Sequence, residues 1–114
     1  MVMQAFSFDI EYYITDLGKK PFKEWIDSLR DIKGRAKVRV RLDRARLGNL
    51  GDYKQVESGV YEMRIDFGPG YRVYFAKEGN CLLLLLIGGD KRTQRMDIKT
   101  AVTYWQDHQE RCKK

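Results

Sequence analysis

A chain of 114 residues that is 43% hydrophobic and 12% aromatic carries enough apolar side chain for one modest core and is not compositionally disordered. Its longest apolar run, residues 81–87, is too short to cross a bilayer, and the acids in MVMQAFSFDIEYY stand where a secretory leader needs basic and then apolar residues. The expectation is a soluble, cytoplasmic protein with one domain over residues 1–114, with 22 Lys+Arg against 16 Asp+Glu and a net charge of +6.

Residues 6–14 alternate and are rich in aromatic and β-branched types, which predicts a strand. Asp16-Leu-Gly-Lys breaks it. Pro21 suits the first turn of a helix, in which Phe22, Trp25, Ile26 and Leu29 fall on one apolar face. Gly34 reads as a break before a second helix reaching about residue 47, with Ile32, Ala36, Val40 and Leu47 on one side. This helix holds Lys33, Arg35, Lys37, Arg39, Arg41, Arg44 and Arg46, opposed only by Asp43, so it carries the whole cationic excess. Such a block is either a footprint for RNA, DNA or an acidic protein, or a solvated helix face. Gly48, Asn49 and Gly51 close it.

The second half is strand-rich. Residues 53–57 form a short strand or lead-in turned by Ser58-Gly59; strands are predicted over 60–67, 71–77 and 81–87, joined at Gly68-Pro69-Gly70 and Glu78-Gly79-Asn80. The leucines of 82–86 suit a strand buried on both faces, ended by Gly88-Gly89. A last helix runs from 93 or 94 to 109, with Ile98, Ala101, Val102 and Trp105 on one side. The order β-α-α-β-β-β-α predicts an α+β fold, a twisted antiparallel sheet with two N-terminal helices and one C-terminal helix packed on it.

Cys81 reads as a buried small hydrophobe and Cys112 as an exposed thiol; neither lies in a metal-ligand spacing. With His108 the sole histidine, a zinc site or histidine-based acid–base chemistry is not expected, and no metal or cofactor is assigned.

Period-2 geometry sorts the candidate site. Met63, Ile65, Phe67, Val73 and Phe75 take one face; Glu62, Arg64, Asp66, Arg72, Tyr74 and Ala76 take the other. If the strands pair around Gly68-Pro69-Gly70, Arg64, Arg72 and Tyr74 converge on an open face, with Lys91 and Arg92 within reach. Such a face suits a phosphodiester and a stacked base. Taken singly, each is as well explained as an exposed charge or an Arg–carboxylate pair, such as Arg64 with Glu62 or Asp66.

The stretch Tyr61-Glu-Met-Arg-Ile-Asp-Phe-Gly-Pro-Gly-Tyr-Arg-Val-Tyr-Phe75 and the following Gly88-Gly-Asp-Lys-Arg-Thr-Gln94 resemble the RelE/HigB toxin superfamily. With Pro21-Phe-Lys-Glu-Trp25 and Arg41-Leu-Asp-Arg-Ala-Arg-Leu-Gly-Asn49, the chain is more closely similar to its phage-derived addiction-module-killer branch. The resemblance implies a type II toxin that is a metal-independent endoribonuclease cutting mRNA on the ribosome, held inactive by a cognate antitoxin that itself carries a helix-turn-helix DNA-binding domain. In that chemistry the RNA 2′-OH attacks the adjacent phosphate and leaves a 2′,3′-cyclic phosphate and a 5′-OH. By position, Arg72 matches the arginine that steadies the phosphorane, Arg64 a basic residue near the attacking hydroxyl, and Lys91 the residue credited with protonating the leaving oxygen. Tyr74 is assigned to base stacking or phosphate orientation. The basic helix and Arg92 are assigned to RNA. Arg72→Ala is expected to abolish activity with the fold intact.

The pattern departs from RelE proper in having Glu62 in place of a second basic residue, and Asp97 where some relatives have a tyrosine. Either carboxylate is a candidate base. A gyrase-poisoning toxin of the same superfamily and a non-catalytic nucleic-acid-binding module stand as alternatives.

Overall fold

A computed structural model describes residues 7–113. The elements run β1 (Asp9–Tyr12), α1 (Pro21–Ser28), α2 (Ile32–Arg46), β2 (Tyr53–Glu57), β3 (Val60–Ile65), β4 (Tyr71–Glu78), β5 (Leu82–Asp90), a 3₁₀ turn (Lys91–Thr93) and α3 (Gln94–Cys112). The class is α+β, with a five-stranded sheet in the order β1-β5-β4-β3-β2.

The sheet is mixed, which corrects the antiparallel expectation. β2 to β5 form antiparallel hairpins, but β1 lies parallel to β5, with Asp9 opposite Leu82 and Tyr12 opposite Leu85. The excursion through α1 and α2 carries the chain from β1 at one edge of the sheet to β2 at the other. Residues 53–57 are a full strand, so the order is β-α-α-β-β-β-β-α. The predicted first strand is shorter than expected, and its Phe6 lies outside the described residues.

Helices cover both faces of the sheet. On one face Phe22 and Ile26 of α1 and Val38, Leu42 and Ala45 of α2 meet Met63, Ile65, Val73, Phe75, Leu83 and Leu85. On the other, Ala101 and Trp105 of α3 meet Val60, Tyr74, Ala76, Leu84 and Leu86. The leucine run is thus buried from both sides, as its unbroken apolarity predicts. Each large side chain so enclosed contributes about 1.5–3 kcal/mol by leaving water.

Pro21 starts α1, since the amide it lacks would have no partner there. Asp31 caps α2, its carboxylate accepting from the Gly34 amide at 2.9 Å, so Gly34 lies inside the first turn and is not a break. The buried face of α2 also differs from the predicted one: Gly34, Val38, Leu42 and Ala45 face the sheet, while Ile32, Val40 and Leu47 are exposed. A Cβ at Gly34 would stand 2.5 Å from the Tyr71 ring, so only glycine lets this side of the helix approach.

β5 does not stop at Gly88-Gly89 but continues to Asp90, its glycines pairing with Val73 and Arg72 of β4, and both are sites of close approach. A Cβ on Gly88 would collide with the Trp25 ring on one face, and one on Gly89 would collide with the Asp97 carboxylate on the other. Cys81 is exposed in the turn before β5 and not buried as expected, and α3 runs on to Cys112. No helix among the described residues is long and apolar enough to cross a membrane.

Candidate functional site

The β3–β4 register brings the two arginines together. Arg64 pairs directly with Arg72, Met63 with Val73 and Glu62 with Tyr74, as alternation about the Gly68-Pro69-Gly70 turn predicts. At this end of the sheet a pocket of about 330 Å³ is lined by Arg64, Arg72 and Lys91 together with Asp52, Asp66 and Tyr71. Lys91 enters because β5 runs beside β4 to Asp90, opposite Tyr71, and delivers the following 3₁₀ turn to the pocket.

The three cations differ in their surroundings. Arg64 is exposed, with its Nε 3.4 Å from Asp52 Oδ2. Lys91 is exposed and makes no ion pair among the described residues. Arg72 is buried apart from the part that meets the pocket; its Nη1 donates to the Gly70 carbonyl at 2.9 Å, and its Nε lies 3.4 Å from Glu62 Oε2. That pair has the distance of an ion pair without the alignment of a hydrogen bond. Asp66 lines the same pocket, exposed, and pairs with no cation among the described residues.

Behind Arg72 lies a closed polar group that the sequence did not reveal. Glu62 is completely buried, and its Oε2 accepts from Tyr74 Oη at 3.0 Å and from Gln94 Nε2 at 2.7 Å. Burial, and then the Glu62 carboxylate, pushes the Tyr74 phenol well up from its ordinary value. Two assignments are thereby corrected. Tyr74 is fully buried under α3 and offers no ring face to a base, because the sheet face taken to be open is covered by that helix. Glu62 has no access to a bound hydroxyl, so it is not a proton acceptor at this pocket. The expected outcome of Arg72→Ala changes as well, since that substitution would strand a buried carboxylate and weaken the fold.

Asp97 sits at the start of α3 beside Gly89, accepts from the Thr93 hydroxyl at 2.5 Å, and is pushed up from the usual carboxylate range by burial. It does not line the pocket. Arg92 is turned away toward Asp90, 3.1 Å distant, and lies with Arg95, Met96 and Lys99 along the outer side of α3. Arg95 and Lys99 went unread in the sequence although their spacing from Arg92 is helical.

The basic helix also divides. Arg41 is structural: its guanidinium donates to the carbonyls of Arg64 at 2.5 Å, Leu50 at 3.1 Å and Asp52 at 3.3 Å, clamping α2 to the start of β2 and the end of β3. Burial lowers its pKa. Arg39 and Arg46 pair with Asp27 and Asp43. Lys37 lies 5.6 Å over the Phe67 ring and, with Lys33, borders the exposed Val40. Arg35 and Arg44 complete the outer charge of the helix.

An α+β fold gathers two cross-strand arginines and a lysine, together with Asp52 and Asp66, around one pocket at an end of its sheet. No protein-family model matches the chain. It is 46% identical over 80 residues to an uncharacterized protein of Haemophilus influenzae, an alignment that covers 70% of this chain and 81% of that protein. The chain belongs to the same family as that protein.

Proposed function

We propose that the chain is a type II toxin of the RelE/HigB kind, a metal-independent endoribonuclease that cleaves mRNA on translating ribosomes in the cytoplasm and is restrained by a cognate antitoxin. The observation that carries this reading is the direct pairing of Arg64 with Arg72 across β3 and β4, at a pocket they share with the exposed Lys91.

A phosphodiester seated there meets the positive charges of Arg64, Arg72 and Lys91. Arg72, held by Gly70 and Glu62, is pre-oriented to offset the extra negative charge of a phosphorane. Arg64 holds the other side of the phosphate, and Lys91 gives a proton to the departing 5′-oxygen. Asp66, an exposed carboxylate that lines the pocket, takes the proton of the attacking 2′-OH. The ribosome supplies the in-line geometry of the RNA. On α2, the exposed Ile32, Val40 and Leu47 set among lysines and arginines suit an amphipathic acidic segment of the antitoxin.

The test is brief induction without antitoxin followed by primer extension on several cellular mRNAs. Cuts inside translated frames that disappear with Arg64→Ala support the reading. Growth arrest with intact mRNA would instead favour a gyrase-directed toxin, and neither effect would favour a binding module.

A further inference from the structure

At the far end of the sheet from the pocket, three potential metal ligands meet. β4 runs away from Tyr71 at the pocket to Glu78, and α3 runs from Gln94 back alongside to Cys112. A strand of that length carries the chain about 20 Å or more. There His108 Nε2 lies 2.8 Å from Glu78 Oε2 and 3.5 Å from Cys112 Sγ, and the three donor atoms all fall within 4.8 Å of one another. His108 and Cys112 are one helical turn apart and so share a face of α3. The imidazole is held by Trp105, whose ring stacks on it at 5.8 Å with an interplanar angle of 13°.

A single ring nitrogen faces both the carboxylate and the sulfur. It can donate one hydrogen or accept one, so in the metal-free protein it serves only one of these partners at a time. A cation at the centre of the three serves them all at once. The spacing suits one: zinc bonds of about 2.0–2.1 Å to nitrogen and 2.3 Å to sulfur at a tetrahedral angle place those ligands about 3.6 Å apart. The 2.8 Å between nitrogen and carboxylate oxygen is a hydrogen bond that must open by only about 0.5 Å to admit the ion. Imidazole, thiolate and carboxylate form a borderline donor set that suits Zn²⁺ or Co²⁺, not Ca²⁺ or Mg²⁺. Cys112 is exposed, which leaves room for water in the fourth position.

We infer that Glu78, His108 and Cys112 form a binding site for a divalent transition metal of the zinc class, a clasp that ties the last turn of α3 to the end of β4. The inference does not rest on the proposed nuclease activity. The ion enters with loss of the Cys112 thiol proton, and because it binds only the folded chain it raises stability.

The test is titration of the reduced full chain with Co²⁺ in a thiol-free reductant, read by absorption. The expected result is saturation at one ion per chain, with a thiolate-to-cobalt charge-transfer band and tetrahedral ligand-field bands that Zn²⁺ abolishes by displacement. Cys112→Ser removes the thiolate band, His108→Gln and Glu78→Gln each weaken binding by about tenfold or more, and Cys81→Ser changes nothing. Zn²⁺ should raise the Tm of the parent chain and not that of Cys112→Ser. No saturable thiolate band, one ion shared between two chains, or a band that survives Cys112→Ser would each overturn the site. Undiminished binding in Glu78→Gln would do the same.

Discussion

The Glu62 carboxylate stands 3.4 Å from Arg72 Nε, with the acid wholly enclosed and the arginine side chain only 10% exposed. Removing either partner leaves a buried charge alone, which costs about 3–5 kcal/mol. Glu62→Ala is therefore expected to lower the urea midpoint sharply although it touches no ligand. The Glu62→Met/Arg72→Met double substitution should be more stable than the sum of the single Met substitutions implies. Additive losses in that cycle would mean that the pair is uncoupled.

Arg64 separates activity from stability where Arg72 does not. Its pair with Asp52 is solvent-exposed, so Arg64→Ala should change the unfolding free energy by less than about 1 kcal/mol. If Arg64 holds the reacting phosphate, the same variant should cut slower by about 10²–10³ in single-turnover RNA cleavage. Asp66→Asn should likewise lose rate with its Tm preserved. Full activity in both variants would remove the pocket from the chemistry.

Asp31 ties stability to pH. Its carboxyl is held below the usual range first by the Gly34 amide and then by the Tyr71 hydroxyl, which donates at 2.7 Å. A depressed folded value means that the carboxylate stabilises the fold above its unfolded pKa of about 3.9, and that this contribution is lost as pH falls through the lower folded value. The Tm difference between the parent chain and Asp31→Ala should be full at neutral pH and shrink in strong acid. A difference that stays constant down to about pH 2 would contradict the assignment.

Gly88→Ala drives a methyl group into the Trp25 ring, which sits between α1 and the sheet. Overpacking of this kind costs about 1–3 kcal/mol, and the Trp25 fluorescence environment should change with it. Trp25→Leu combined with Gly88→Ala should restore part of the loss.

Salt dependence tests the outer charges of α2. Neutralising Lys33, Lys37 and Arg44 together should flatten the slope of log K for single-stranded RNA against log salt by about 0.7 for each phosphate that these cations neutralise. Arg41→Ala should chiefly lower Tm, because its donors are spent on backbone carbonyls. An unchanged slope in the triple variant would exclude α2 from binding RNA.

The sequence revealed the β3–β4 pairing because a Gly-Pro-Gly turn and strict alternation are local signals. It did not reveal that β1 lies parallel to β5, since nothing in Asp-Ile-Glu-Tyr marks so distant a partner. The rotation of α2 was equally hidden. Ile32, Ala36 and Val40 form as plausible a stripe as Val38, Leu42 and Ala45, and the choice is made by Tyr71 seating against Gly34. The faces of Arg72 and Tyr74 were legible, but not their depth. Alternation tells which side of a sheet a residue takes, not whether a helix from the other end of the chain covers it.

The parallel seam between β1 and β5 has a consequence for when the protein becomes whole. Asp9 waits for Leu82 as the chain is synthesised, so the first strand emerges long before the partner it must join. Pairing segments so far apart in sequence slows folding. Lys91 follows β5 directly, so it reaches the pocket when β5 pairs with β4. The lining of the pocket is therefore complete only once the last strand of the sheet is in place.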